Sequence, residues 1–216
     1  MNICVGIISY LPDDPEVRQK RLNKLNTLVT KCDELFKLPI IIIAQNWKNL
    51  DNISHLKNST LIIYKYNNPL GITGARRALR NKFIGSQFDY LIMLDDDSEL
   101  SGTEHGAKDY LDQIRNHPGM YGIFKSMLLK LFAISKEMYQ LIDFPDLEAG
   151  RGEFFEDMYL IMALNKKYPQ KKFTFNKTGQ INESSNSSSD PLSTWYHRQY
   201  TKRQMGDRTR SMIRSL

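Results

Sequence analysis

The sequence predicts an α/β fold in one domain, with a central, mostly parallel sheet flanked by helices. Three observations lead there. Short apolar runs rich in β-branched residues recur at 3–9, 39–44, 61–64 and 90–94. They are continuous rather than alternating, the signature of strands buried on both faces. Helix-period segments separate several of these runs, and strands alternating with helices imply a parallel sheet. Finally, 216 residues with 41% hydrophobic and 11% aromatic content suit a single cored domain and exclude wholesale disorder.

The elements follow in order. Residues 3–9 (ICVGIIS) form the first strand. LPDDPEV supplies a turn, an aspartate helix cap and Pro15 near the first helical position. Leu25, Leu28, Val29, Cys32, Leu35 and Phe36 then recur at helical spacing. Strands at 39–44 and 61–64 come next, followed by a helix from Thr73 to Ile84 and a strand, Tyr90 to Leu94, that runs into Asp95-Asp96-Asp97. The second half is less regular, with helices expected at 104–116, 135–142 and 154–168 and short strands at 120–124, 128–133 and 171–175. Residues 178–191 (TGQINESSNSSSDP) are Ser/Asn-rich and read as a mobile loop, either a lid or an inert linker. The expected domain spans 1–196, in two halves that divide at about residue 100, with a tail at 197–216.

The charge is unevenly placed. The formal net charge is +6, but the first 196 residues hold 24 basic and 23 acidic groups. Residues 197–216 carry Arg198, Lys202, Arg203, Arg208, Arg210 and Arg214 against Asp207 alone, a surplus of +5. Cys4 and Cys32 both sit in apolar patterns, which argues against a disulfide framework. No apolar run reaches the length of a transmembrane helix, and the N-terminus lacks a signal-peptide pattern, so a cytoplasmic setting is expected.

Three segments carry chemistry. In LIMLDDDSE (91–99) three carboxylates follow a buried strand. Their mutual repulsion calls for a positive partner, and a hard divalent cation completed by phosphate oxygens is the usual one. A solvated acidic turn is the competing reading. In GRGEFFEDMYLIMAL (150–164), Glu156 and Asp157 lie near a helix start, where carboxylates are favoured; a simple cap competes. In NPLGITGARRALRN (68–81), a glycine-bearing loop enters a helix bearing Arg76, Arg77 and Arg80, which suits an anionic ligand, against the alternative of a solvated face. Ligands of open α/β sheets bind outside the carboxyl ends of the strands, which directs attention to Ser9, Tyr10, Gln45, Asn46 and Asp95–Asp97.

Taken in this order, the segments from Asn2 to about His197 resemble the GT-A (Rossmann-like) glycosyltransferases, specifically the large family two of nucleotide-sugar enzymes. Ile8-Ser9-Tyr10 matches its first nucleotide-contacting segment. Gly71 to Asn81 approximates its G-x-x-x-A-R-N segment, Asp95-Asp96-Asp97 its D-x-D, Glu156-Asp157 its E-D pair, and His197 its late histidine. LPDDPEV lacks the family's P-x-Y-N form, and the usual ARN is here ARR.

The resemblance implies a nucleotide-sugar donor, foremost a UDP-sugar, and a Mn²⁺ or Mg²⁺ ion, with a nucleotide-binding half over about 1–100 and an acceptor half over about 101–196. It implies donor contacts at Ser9, Tyr10, Gln45, Gly74, Arg76, Arg77, Asp95 and Asp96, and metal ligation by Asp97, Asp95 and His197. It also implies Asp157 as general base in an inverting displacement, with Glu156 orienting it or the acceptor. The tail (Trp195, Tyr196, Tyr200 among basic residues; Met205, Met212 and Ile213 on one side) is expected as a basic C-terminal helix. It suits the donor diphosphate, an anionic membrane surface, a polyanionic acceptor such as phage hydroxymethylated DNA, or packing on the body. A cell-surface glycan is the other acceptor class. A non-catalytic nucleotide- or nucleic-acid-binding protein and a nucleotidyltransferase of related architecture are the alternatives.

Overall fold

The computed structural model describes residues 1–48, 52–53, 56–124, 131–142, 156–176 and 181–185, with backbone alone for 156–158 and 182–185. The expected βα alternation is present. Strand β1 (Ile3–Tyr10) leads to helix α1 (Pro15–Leu35), then β2 (Ile40–Gln45), β3 (Leu61–Tyr66), α2 (Gly71–Ile84) and β4 (Tyr90–Asp95). These are followed by β5 (Ser98–Gly102), α3 (Glu104–Arg115), β6 (Tyr121–Ile123), β7 (Phe132–Ser135) and α4 (Lys136–Gln140). Helix α5 (Glu156–Lys167), β8 (Lys172–Thr174) and β9 (Ile181–Ser185) complete the described chain.

Seven strands form the main sheet in the order β3-β2-β1-β4-β7-β6-β8. The β1–β2, β1–β4, β2–β3 and β6–β8 pairs are parallel, while β7 runs antiparallel to both β4 and β6. Side-chain alternation sorts the core into two layers. Val5, Ile7, Ile42, Ile92 and Leu94 pack with Leu25, Leu28 and Val29 of α1 and Tyr110 and Leu111 of α3. On the other face Cys4, Ile8, Ile41, Ile43, Leu91 and Met93 pack with Leu79 and Phe83 of α2, Met138 of α4 and Leu160 and Leu164 of α5. Both cysteines are buried and unbridged.

The local chemistry explains the element ends. Asp14 caps α1 by accepting from the N–H groups of Glu16 and Val17, with Pro15 at the start of the helix. Ser135 caps α4 by accepting from Met138 N. Gly71 starts α2 at φ 69°, a left-handed backbone that glycine adopts without strain.

The two segments whose strands the sequence did not announce pair with each other. Strand β5 runs antiparallel to β9 as a separate two-stranded sheet, in the register Ser98↔Ser185 to Gly102↔Ile181. Part of the expected loop 178–191 is therefore strand, anchored directly after the aspartate cluster; its remainder and the tail 197–216 lie outside the described residues. Strand 128–133 is observed from Phe132, with 125–130 outside the described residues. No helix among the described residues is long and apolar enough to cross a membrane.

Two braces carry testable energies. Asp33, buried in α1, accepts from Lys57 N and Asn58 N at 2.9 Å each, fastening the segment that leads into β3. Burial alone pushes its pKa up, but the hydrogen bonds from residues 57–59 outweigh that and hold it below the ordinary carboxylate value. A depressed folded pKa adds stability above the unfolded value that is lost as pH falls through the folded one. Asp33→Ala is expected to cost about 1–3 kcal/mol in chemical denaturation at neutral pH. The deficit should shrink in acid, where the natural chain loses the same contribution. At Gly122, a Cβ would stand 2.6 Å from Phe175 Cε2 in a packed aromatic layer. Gly122→Val is expected to destabilise the fold by about 1–3 kcal/mol through overpacking, read as a lowered denaturation midpoint.

Candidate active site

The carboxyl ends of β1, β2 and β4 lie side by side, with Ile8 opposite Asp95 and Tyr10 opposite Gln45. Strand alternation decides where each polar side chain goes. Asp95 continues the Leu91–Met93 face and meets α2, where its Oδ1 accepts from Arg76 Nη2. Arg76 is 3% exposed, whereas the Asp95 side chain is half open to solvent. Asp96 continues the Ile92–Leu94 face and turns towards α1. Its Oδ2 accepts from Tyr10 N at 3.2 Å and its Oδ1 lies 3.8 Å from Arg21 Nη2. Burial pushes the Asp96 pKa up; Arg21, the neighbouring Ser9 side chain and the Tyr10 amide oppose that shift, while Asp95 adds to it. Two arginines from opposite faces thus hold two adjacent carboxylates at one strand end, which answers the repulsion in the sequence. Asp97, half-buried, opens the turn into β5.

Several expected donor-contacting residues are engaged with the chain itself. Gln45 is buried, and its Oε1 accepts from Leu70 N at 2.7 Å, pinning the entry to α2. Asp96 bonds backbone and α1 in the same way. Gln45, the last residue of β2, and Asp96, one residue past β4, thus each brace the chain beside the strand ends. Ser9 is buried beside Asp96, and Tyr10 is half-buried at the edge. Gly74 lies inside α2, where a Cβ would come within 3.0 Å of Leu70 Cβ. Arg77 is half-buried on α2, and Arg80 donates to the carbonyls of Tyr139 and Gln140 at 2.9 Å each, a tie to α4. Helix α5 begins at Glu156, so the Glu156-Asp157 pair does open a helix, and that helix packs on the same face as Asp95 and Arg76. Side chains at 156–158, and His197 altogether, lie outside the described residues.

The sequence reading missed Arg18 and Arg21. Arg18 is 7% exposed; it donates to Pro12 O at 2.8 Å and to Asn46 O at 2.5 Å, clamping the loops after β1 and β2 together. Arg21 Nη1 donates to Tyr10 O at 3.0 Å as well as facing Asp96. Both were legible by helical spacing, since Arg18 precedes Leu22 by four and Arg21 precedes Leu25 by four on the buried stripe. Asn46 takes a left-handed φ of 56° and donates from Nδ2 to Leu11 O at 2.8 Å, so this corner is fixed by side chains.

Hard carboxylate oxygens suit Mn²⁺ or Mg²⁺, which take one or two protein carboxylates and fill the rest of the shell with phosphate or water. Asp95 and Asp96, however, diverge to opposite faces of the sheet, and no group of three His, Cys, Asp or Glu side chains among the described residues converges on one point. The donor set therefore fits an ion shared with a phosphate ligand rather than one caged by protein.

No protein-family model matches the chain, and no curated protein matches it. Solved structures do. The structure of S. aureus TarS superposes with a TM-score of 0.55 at 12% identity, over 88% of this chain and 38% of that one. TarS 1–349 in complex with UDP superposes at 0.54 with 13% identity, over 84% and 60% of the two chains. TarS 1–349 in complex with UDP-GlcNAc gives 0.53 with 14% identity, over 88% and 61%.

The fold is that of the GT-A nucleotide-sugar transferases.

The chain spans under two-thirds of either TarS chain. Within the GT-A frame, the strand ends carrying Ser9, Tyr10 and Asp95–Asp97 occupy the crevice outside the sheet's carboxyl edge.

Proposed function

We propose that this chain is a metal-dependent glycosyltransferase that moves a sugar from a nucleotide-sugar, foremost a UDP-sugar, to an acceptor hydroxyl. The observation that carries it is the pairing of Asp95 with Arg76 and Asp96 with Arg21 at the end of β4, on a GT-A fold. A structural turn has no need of three aspartates flanked by two largely buried arginines. A site that must keep carboxylates charged beside a diphosphate does. The match to TarS structures holding UDP and UDP-GlcNAc supports the donor class.

In this reading Ser9 and Tyr10 border the nucleotide, and Arg77 faces the diphosphate from α2. Asp97, the last aspartate of the D-x-D run, would be the principal metal carboxylate, with Asp95 and His197 completing the protein's share of the shell. When bound, the metal supplies Lewis-acid stabilisation of the departing diphosphate. Asp157 takes the proton of the acceptor hydroxyl as that oxygen attacks the anomeric carbon, and the nucleoside diphosphate leaves with its bonding pair, giving inversion. Glu156 orients Asp157 or the acceptor.

Thermal unfolding of the full chain with UDP-GlcNAc and other nucleotide-sugars, with and without Mn²⁺, tests the donor. Ligand at a hundred times its Kd stabilises by about 2.7 kcal/mol, a readable rise in Tm. The expected result is a rise that needs both components. A flat response across the donor panel would instead favour the non-catalytic binding protein.

A further inference from the structure

Strand β3 is the outermost strand of the main sheet at one side, and among the described residues no strand lies beyond it. Ile40 N donates to Thr60 O and Asn46 N to Tyr66 O, which fixes the phase of its backbone. Even-numbered residues turn their N–H and C=O groups to β2, so Leu61, Ile63 and Lys65 turn theirs outward. None of those outward groups bonds another described residue. The side chains are open too. Strand β2 is buried throughout, whereas Leu61, Ile62, Ile63 and Tyr64 are only half-buried. An open, apolar edge of this kind is a template for one more strand.

The charge around this edge is one-sided. From Asn52 to Phe88 the sequence has no Asp or Glu, but it has Lys57, Lys65, Arg76, Arg77, Arg80 and Lys82. Arg76 is engaged by Asp95, and Arg80 by the carbonyls of Tyr139 and Gln140. Lys65 and Lys82 are held differently. Lys65 Nζ lies 5.9 Å from the centre of the Trp47 ring, and Lys82 Nζ lies 4.3 Å from that of Tyr64. Among the described residues neither meets a carboxylate. An aromatic face positions an ammonium group without cancelling its charge. The two cations flank the edge on opposite faces: Lys65 continues the Leu61–Ile63 side towards α1, and Tyr64 lies on the α2 side.

These features select the occupant. A second copy would set two acid-free segments against each other, and their repulsion opposes a β3–β3 pair. A polyphosphate supplies negative charge, but neither apolar side chains nor the extended backbone that open N–H and C=O groups require. An acidic polypeptide in extended form supplies all three. We propose that β3 takes an extended acidic segment of a partner protein as one further strand, apolar opposite Leu61–Ile63 and carrying adjacent carboxylates opposite Tyr64 and Lys65. Adjacent positions are needed because successive side chains of a strand point to opposite faces, one towards Lys82 and the next towards Lys65.

The test uses the full chain and end-blocked, fluorescein-labelled peptides: the acidic TVIVEDT, its amide form TVIVQNT and the proline form TVPPEDT. Each is also made in reversed order, so that parallel and antiparallel addition are both covered. Proline keeps the charge and removes a ladder donor in either direction. Fluorescence anisotropy reads binding to the natural chain, Lys65→Glu and Lys82→Glu. One order of the acidic peptide should bind at least about fivefold more tightly than its amide form, in keeping with two exposed ion pairs. The same order should bind at least about tenfold more tightly than its proline form. Each substitution should weaken the acidic peptide at least about threefold, leave the amide form unchanged and preserve the natural circular dichroism spectrum. No binding, equal binding of the acidic and amide forms, equal binding of the proline form, or indifference to both substitutions would overturn the assignment. A dimer of the chain that the acidic peptide dissociates would give the edge to a second copy. A DNA oligonucleotide bound more tightly than the peptide, and weakened by the same two substitutions, would give it to nucleic acid. Either result would overturn the proposal as well.

Discussion

Asp157→Asn is expected to bind a nucleotide-sugar donor as tightly as the natural chain and to transfer its sugar about 10²–10⁴ times more slowly. That range is what a positioned general base contributes. The amide keeps the size and hydrogen-bonding shape of the carboxyl but cannot accept the acceptor's proton. Because the donor's phosphates are assigned to the β4 end and α2, donor affinity does not pass through this side chain. The separation of binding from turnover is therefore the diagnostic, read as unchanged Tm elevation by donor with a collapsed kcat. Near-normal turnover would remove Asp157 from the mechanism. Weakened donor binding would instead mean that the start of α5, at Glu156, supports the donor rather than the acceptor.

Arg21→Ala is expected to have the largest effect on folding. Asp96 is largely buried, its pKa is already raised chiefly by burial, and Arg21 is the cation opposing that shift. Removing one partner of such a pair leaves an uncompensated charge and costs about 3–5 kcal/mol. The sign of the pH dependence is distinctive. A carboxyl whose folded pKa lies above its unfolded value favours the fold while protonated, and that contribution is lost as pH rises through the folded pKa. Arg21→Ala should therefore be least stable near neutrality and regain stability as the pH falls towards the Asp96 folded pKa, until general acid unfolding takes over. The double variant Arg21→Ala/Asp96→Asn should recover much of the loss at pH 7, since the amide removes the buried charge. Chemical denaturation across pH checks both; equal losses at all pH values, with no rescue, would show that Arg21 acts only by packing and by its bond to Tyr10 O.

Much of this was legible in the sequence. The continuous apolar runs of β1, β2 and β4 read as buried strands, and the D-x-D run fell at a strand end because the apolar run stops there. Glu156 opening a helix followed from the apolar spacing after it. What was hidden has physical reasons. Strands β5 (SELSG) and β9 (INESS) are polar and short, so no hydrophobic period marks them; each exists by pairing with the other across about 80 residues of chain. Arg18 and Arg21 looked like solvent-facing charges because arginine on a helix usually is one, and only their phase relative to Leu22 and Leu25 betrayed them. The direction of each aspartate needed the register of β4 against β1, which composition does not carry.

The same register frames the central claim. It sends Asp95 to Arg76 and Asp96 to Arg21, next to Asp97, the carboxylate to which we assign the divalent ion. The most direct measurement is the release of UDP from UDP-GlcNAc and a panel of other UDP-sugars by the full chain, with Mn²⁺, with chelator, and after Asp97→Ala. The account predicts release with Mn²⁺ on at least one donor, loss of that release with chelator, and a fall of at least about a hundredfold in Asp97→Ala, in keeping with the several kcal/mol a metal supplies to a departing diphosphate. Release that persists undiminished in chelator, or in Asp97→Ala, would contradict it.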